Sequence, residues 1–282
     1  MPELPEVETV ARRLQTRLPG ATIADAHVLW GRTIAHPQPP DRFSAEISGR
    51  VVKRVGRRAK SVVLFLDDGR VMTVALRMTG ALLVVPAGDP PDPHARVVFD
   101  LADGRELRFR DARKFGRIGL YPGRGQRRVA DVLARHGPEP LAPSFTAARL
   151  AERLRRRSAR LKTLLLDQSF IAGVGNIYAD EALWRARLHP LRRADTLTDA
   201  EIRRLHRAIR TSLREGLAGG GASYRDYVDP DGEPGLAAER MRVYRRTGEP
   251  CFRCGRRIER IVVGARATHL CPRCQPAPRA AR

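Results

Sequence analysis

The sequence predicts an α+β protein: an N-terminal antiparallel β-sandwich with a flanking helix, a helical second unit, and a small metal-stapled β-hairpin near the end. Three observations carry this. Residues Ile23 to Leu120 are dense in short apolar runs broken by Asp-Gly turns. From Thr146 to Leu217 the apolar residues recur at helical spacing. All four cysteines lie after Glu249, as two C-x2-C pairs.

The chain opens MPELPEVET. Pro5 suits a first helical position, Glu6 and Glu8 suit the positive end of a helix dipole, and Val7, Val10 and Leu14 fall on one face. These residues predict a helix over Pro5–Leu18 packed on the sandwich. They leave Pro2 and Glu3 unexplained. The stretch VVKRVGRRAKSVVLFLDDGRVMTVAL reads as two apolar runs around a hairpin turn at Asp68-Gly69, and RVVFDLADGRELRFRD repeats the arrangement at Asp103-Gly104. Between them VVPAGDPPDPHA is a Pro-rich loop. HGPEPLAP reads as a linker. Helices follow around Leu150 and Leu154, Leu161 to Leu166, Ile177 to Ala186, and Asp199 to Leu217, the last capped by Thr198 with Glu201 three residues on. The glycine-rich GLAGGGASYRDYVDPDGEPG is expected to be a mobile loop. The expected divisions are a sandwich domain at 2–125, a linker at 126–145, a helical unit at 146–235, a four-cysteine unit at 241–275 and a tail at 276–282.

With 53 basic and 31 acidic residues the net charge is +22, and a surface of that sign collects polyanions, nucleic acid first. A generally arginine-rich composition is the plain alternative. At 42% hydrophobic residues the chain can bury real cores, which excludes a disordered polymer. The acidic start excludes a signal or transit peptide, and no apolar run reaches the roughly 20 residues of a membrane span. A cytoplasmic, monomeric protein is the expectation.

Four constellations carry chemistry. Cys251, Cys254, Cys271 and Cys274 form C-x2-C-x16-C-x2-C, a spacing that puts four thiolates around one structural Zn2+ with no open position for catalysis. The basic segment between the pairs, RRIERIVVGARATHL, includes Arg266 and reads as a hairpin held rigid by that metal. IAGVGNIYADEALWRA places closely spaced glycines before a helix starting at Asn176, which suits either a phosphate site or an ordinary helix hairpin. LRMTG at 76–80 and DARKFG at 111–116 set Met78 and Phe115 beside basic residues, as core packing or as wedges for a base stack. Finally, loss of Met1 would leave Pro2 as a secondary amine. An α-amino group titrates at about 7.7–8.0, so part of it is a neutral nucleophile near pH 7. An inert, frayed terminus is the plain alternative.

In one order, PELPEVET, RRAK at 57–60, LRMTG, DARKFG, LLLDQ at 164–168, GVGNIYADEALWRA and the tail ending CPRCQ closely resemble the formamidopyrimidine-DNA glycosylase family, bacterial enzymes that excise 8-oxoguanine and ring-opened purines. The match runs from Pro2 to Gln275. The resemblance implies a β-sandwich joined to a helix–two-turn–helix domain and a zinc finger, with damaged double-stranded DNA as partner. It implies Pro2 as Schiff-base nucleophile, Glu3 as proton donor at the sugar, Lys60 at β-elimination and a phosphate, and Arg266 at δ-elimination. Asn176 would hold a phosphate beside the lesion. Met78, Arg113 and Phe115 would fill the vacated stack. His94, Arg157, Lys162 and Tyr244 match further DNA-contact positions, Lys162 near the target base.

Three departures bear on these expectations. Ala75 stands where the family often has histidine, and Ala222 and Ser223 stand where threonines are frequent in the loop over the flipped base. Leu4 favours the purine branch over the related endonuclease VIII branch, which typically has glycine there. A non-catalytic DNA-binding protein is the rival reading, and retention of Pro2, Glu3, Lys60 and Arg266 argues against it.

Overall fold

The computed structural model of the protein describes residues 1–122 and 133–278. Two compact units are each built from two pieces of chain: Met1–Ala134 with Leu217–Ala238, and Arg135–Gly216 with Glu239–Arg282. The expected end of the first domain at residue 125 and part of the 126–145 linker fall outside the described residues, as does the end of the tail.

In the first unit, helix α1 spans Leu4–Gln15, starting one residue earlier and ending three residues earlier than expected. It buries Leu4, Val7, Val10, Ala11 and Leu14 against the strands. The strands are β1 (Thr22–Val28), β2 (Ile34–His36), β3 (Arg50–Arg58), β4 (Ser61–Leu66), β5 (Val71–Ala75), β6 (Gly80–Pro86), β7 (Ala95–Leu101), β8 (Arg105–Asp111) and β9 (Arg117–Tyr121). They follow the order β2-β9-β5-β4-β3-β1-β7-β8-β6. Among the described residues, strand pairing of Thr22 with Val51 and of Ile23 with Arg50 joins the β1–β7–β8–β6 half to the β3–β4–β5–β9 half, and so short a junction lets the ladder fold over as a sandwich. Its core includes Phe43, Val62, Leu82, Phe99 and Phe109, each fully buried.

Both Asp-Gly hairpins lie where expected, at β4–β5 and β7–β8. Two features depart from the sequence reading. A short helix, α2 (Pro40–Ile47), interrupts the strands, with proline in its first turn and Phe43 and Ile47 buried. β2 pairs parallel to β9, where an all-antiparallel sheet was expected.

By its contacts the segment 217–238 goes with the sandwich unit. Its glycines predict a loose loop, but Tyr227 enters the sandwich core. Val84 donates its N–H to the Pro230 carbonyl at 3.1 Å, and Arg13 and Arg17 pair with Asp231.

The second unit holds α3 (Ala147–Arg155), α4 (Leu161–Leu166), α5 (Asn176–Ala186), most of α6 (Asp199–Ala218), and the hairpin β10 (Glu259–Val263)–β11 (Arg266–Leu270). The capping box of α6 is in place: Thr198 donates its N–H to Glu201 Oε2 at 2.9 Å, and Glu201 N–H reaches Thr198 Oγ1 at 3.3 Å. Helix α5 is buried nearly all round, and that burial includes two acids, Asp180 and Glu181.

Candidate active site and nucleic-acid interface

Six non-glycine residues among those described adopt positive φ, and four of them immediately precede a sequence-predicted site residue. They are Ala59 (φ 52°) before Lys60, Arg77 (58°) before Met78, Lys114 (59°) before Phe115, and Ala265 (59°) before Arg266. Left-handed backbone costs a non-glycine residue roughly 1 kcal/mol or more and persists where the surroundings over-determine it. At each of these turns it aims the next side chain.

The N-terminus of the first unit is not frayed. Pro2 is buried and Glu3 is 2% exposed, while Met1 stands out at 54%. The anchor is Glu6, itself buried. Its Oε2 accepts the Glu3 N–H at 2.8 Å, and its Oε1 accepts the Ala222 N–H at 2.8 Å. Tyr227 donates its hydroxyl to the Glu6 carbonyl at 3.3 Å and to the Gly220 carbonyl at 3.0 Å. Burial, with the Glu6 carboxylate beside it, pushes the Tyr227 phenol far above its ordinary range, so it stays a donor. The sequence reading gave Glu6 a role only in the helix dipole. It in fact ties the residues that would do the chemistry to the loop carrying Ala222 and Ser223. Glu6→Ala leaves two buried N–H groups without an acceptor and is expected to cost about 2–4 kcal/mol, read as a lower urea midpoint.

Lys60 sits on the two-residue turn between β3 and β4, half-buried. Arg57 ties that turn to α1, donating Nε to Glu8 Oε2 at 2.9 Å and Nη1 to the Ala59 carbonyl at 2.8 Å. One guanidinium, with two donors on two different acceptors, thus links the helix headed by Pro2 and Glu3 to the turn bearing Lys60.

LRMTG and DARKFG are held as a pair by Asp111, fully buried at the end of β8. Its carboxylate accepts the Thr79 hydroxyl, the Arg113 N–H at 3.2 Å and the Gly116 N–H at 2.6 Å. The close approach needs glycine in both loops. A Cβ on Gly80 would lie 2.3 Å from the Leu76 carbonyl oxygen, and one on Gly116 would lie 2.3 Å from the Phe109 ring. Met78 and Phe115 are exposed, at 39% and 47%, which removes the core-packing alternative. The Arg113 guanidinium lies 4.9 Å over the Phe115 ring. His94 joins this edge: its carbonyl accepts the Asp111 N–H at 2.8 Å, and its side chain is exposed.

In the second unit, Arg157 is exposed just beyond α3, and Arg266 is exposed at the hairpin turn. Asn176 opens α5 and donates Nδ2 to the Ala267 carbonyl at 2.9 Å. Glu181 accepts the N–H groups of Arg242, Val243 and Tyr244 within 3.0 Å, anchoring the chain ahead of the cysteines. Burial pushes its carboxyl above the usual range against the pull of those donors. The Tyr244 ring meets the His269 ring edge-on at 5.0 Å. Lys162 requires a correction. Its side chain has no exposure and its ammonium pairs with Asp180 Oδ1 at 2.5 Å, so it stands behind the surface rather than on it. A buried ammonium is held by its carboxylate because leaving that partner costs several kcal/mol.

The four cysteine sulfurs lie within 4.8 Å of one another, with Cys254 and Cys271 Sγ 3.4 Å apart and Cys251 and Cys274 Sγ 4.0 Å apart. A tetrahedron with metal–sulfur bonds of about 2.3 Å has edges of about 3.8 Å, so the set fits Zn2+. The Trp184 indole N–H reaches Cys251 Sγ at 3.3 Å. Burial raises the Cys251 thiol, but the Arg253 N–H and the Trp184 N–H outweigh it and lower the thiol to about 6.

Three family models match the chain. They are the formamidopyrimidine-DNA glycosylase N-terminal domain over residues 1–118, that enzyme's H2TH domain over 136–227, and a zinc finger found in FPG and IleRS over 248–277. A formamidopyrimidine-DNA glycosylase of a Roseiflexus species is 49% identical over 98% of this chain and 100% of its own length, and that of Bacillus subtilis is 42% identical over 98% and 99%. The crystal structure of the MutM (Fpg) protein of Thermus thermophilus superimposes with a TM-score of 0.87 at 43% identity, covering 97% of this chain and 98% of that one. Lactococcus lactis Fpg in complex with DNA containing an abasic site gives 0.90 at 33%, covering 98% and 100%.

Proposed function

Because the chain belongs to the formamidopyrimidine-DNA glycosylase family, we propose that it is a base-excision-repair DNA glycosylase with AP lyase activity, removing 8-oxoguanine and formamidopyrimidines from duplex DNA. The observation that carries this reading is the buried head of α1, where Glu3 is fixed by Glu6 and Pro2 is buried next to it in the chain instead of trailing in solvent. Binding alone needs no ordered terminal amine.

Once Met1 is removed, the Pro2 nitrogen attacks C1′ of the damaged nucleotide. The glycosidic bond breaks and the base leaves with the proton lost by the Pro2 nitrogen; the C1′–O4′ bond then opens, O4′ takes a proton, and a cationic iminium remains between Pro2 and C1′. Glu3 moves protons at the sugar. The iminium accepts the electron pair released when a C2′ proton is lost, and the 3′ phosphate departs. Lys60 serves this β-elimination and Arg266 the δ-elimination that follows. Met78, Arg113 and Phe115 fill the gap left by the everted nucleotide, a role that suits exposed apolar side chains with a guanidinium stacked on one. Asn176, His94, Arg157 and Tyr244 hold the backbone. Lys162 acts from behind, through Asp180. Zn2+ supplies rigidity to the hairpin bearing Arg266. The net charge of +22 supports DNA as the partner, and the proposed working form is a monomer in the cytoplasm.

Borohydride trapping on a duplex with 8-oxoguanine opposite cytosine tests the reading. One covalent adduct per chain is expected, and no adduct on this duplex or on an abasic one overturns it. The wedge has its own test. Asp111→Ala removes the acceptor shared by both loops and is expected to lower excision of 8-oxoguanine by roughly 10²-fold, the scale of a misplacement near 1 Å. Cleavage of a preformed abasic site should fall far less, and equal losses on the two substrates would count against the wedge.

A further inference from the structure

Asp180 and Lys162 form a buried ion pair inside α4 and α5 that neither packing nor DNA contact explains. Both side chains have no exposure. Replacing such a pair with apolar side chains of similar volume is often neutral or stabilising, so its presence points to a need for direction.

The geometry supplies that direction. Asp180 Oδ1 holds Lys162 Nζ at 2.5 Å, and Nζ also donates to the Asn176 carbonyl at 3.0 Å. Asp180 Oδ2 accepts the His269 backbone N–H at 2.9 Å and lies 3.1 Å from His269 Nδ1. A second clamp runs in parallel, from Asn176 Nδ2 to the Ala267 carbonyl at 2.9 Å. The two clamps meet β11 at alternate residues, 267 and 269, so they fix both the position and the heading of a strand whose first residue is Arg266. Asn176 lies one helical turn before Asp180 on α5.

We propose that Asp180 is a positioning residue: through Lys162, Asn176 and His269 it sets Arg266 against the phosphate site, and so sets how much strand cleavage proceeds from β- to δ-elimination. Nothing in this role requires Asp180 to touch DNA. Its loss separates the last step from the earlier ones, because Pro2, Glu3 and Lys60 belong to the other unit.

The inference rests on the reading of the previous section, and the test keeps the two apart. Zinc-loaded full-length wild type, Asp180→Asn and His269→Gln are incubated with an abasic duplex, and the β- and δ-products are resolved on a gel. Asp180→Asn keeps the shape of the side chain but leaves Lys162 without its carboxylate. It is expected to raise the ratio of β- to δ-product by roughly tenfold or more, the scale of a positioning error below 1 Å. Zinc stoichiometry should stay at the wild-type level, and borohydride trapping should fall by less than the δ-product does. His269→Gln keeps the backbone donor and should shift the ratio the same way by less. An unchanged ratio in Asp180→Asn overturns the inference, whatever Arg266→Ala does in the same assay. So does a parallel fall in zinc content, trapping and both products in both variants, which is the signature of a merely structural pair. Failure of the wild type to trap would instead remove the glycosylase/lyase reading.

Discussion

Leaving any residue in front of Pro2, whether Met1 or a purification tag, is expected to abolish borohydride trapping and to lower strand cleavage by at least roughly 10³-fold, the scale on which enzymes suffer when a covalent nucleophile is lost. The physical reason is that an acylated proline nitrogen is an amide, with no lone pair to attack C1′ and no cationic iminium to follow. Pro2→Gly differs in kind. It keeps an amine at the same place, but a primary one, without the ring that fixes its direction. A loss of roughly 10²-fold is expected, with some adduct still trapped. The burial of Pro2 sharpens the expectation for the tagged form, because extra chain has to pass through a packed site. Substrate binding gives the control: the tagged protein should still shift a duplex with a non-cleavable abasic analogue, if only weakly. Wild-type cleavage by a verified tagged protein would exclude the N-terminal amine.

Stripping the metal is the second large effect. A structural zinc contributes about 10–16 kcal/mol in isolated finger peptides, far more than the hairpin β10–β11 could supply from five residue pairs. Dialysis against a strong chelator is therefore expected to release one zinc per chain and to disorder the region around Cys251–Gln275. Loss of two charge-assisted contacts at about 1.5 kcal/mol each corresponds to roughly 10²-fold weaker DNA binding. Trp184 reports the event from inside the protein, since its indole N–H bonds Cys251 Sγ and the Arg253 guanidinium lies 4.1 Å over its ring. Its fluorescence should change with zinc release and return on adding zinc back. Normal affinity in a verified metal-free protein would sink the claim.

The parts legible in the sequence share a short range. Asp68-Gly69, Asp103-Gly104 and the Thr198–Glu201 box each encode their geometry within four residues, and the cysteine pairs do so by spacing. The turn at Ala59-Lys60 escaped, because no glycine or asparagine punctuates it and arginine flanks it on the strand side. Helix α2 escaped because eight residues carry little periodicity. The exposure of Met78 and Phe115 depends on how two loops close on Asp111, which spacing alone does not encode. What failed outright depended on partners far along the chain. Lys162 meets Asp180 across eighteen positions, and Glu6 meets Ala222 across 216. A buried acid inside an apolar helix, as in IYADEALW, was the available signal for the first of these pairs.

Both units interleave along the chain, and that fixes an order of events during synthesis. The sandwich strands have all been made once Tyr121 is added, yet the acceptor side of Glu6 and the Tyr227 ring wait for a segment made more than a hundred residues later. At roughly 5–20 residues per second, the nascent sandwich spends on the order of ten seconds with the Glu6 carboxylate lacking part of its partner set. The head of α1 is thus made before the rest of the sandwich and is among its last parts to be finished.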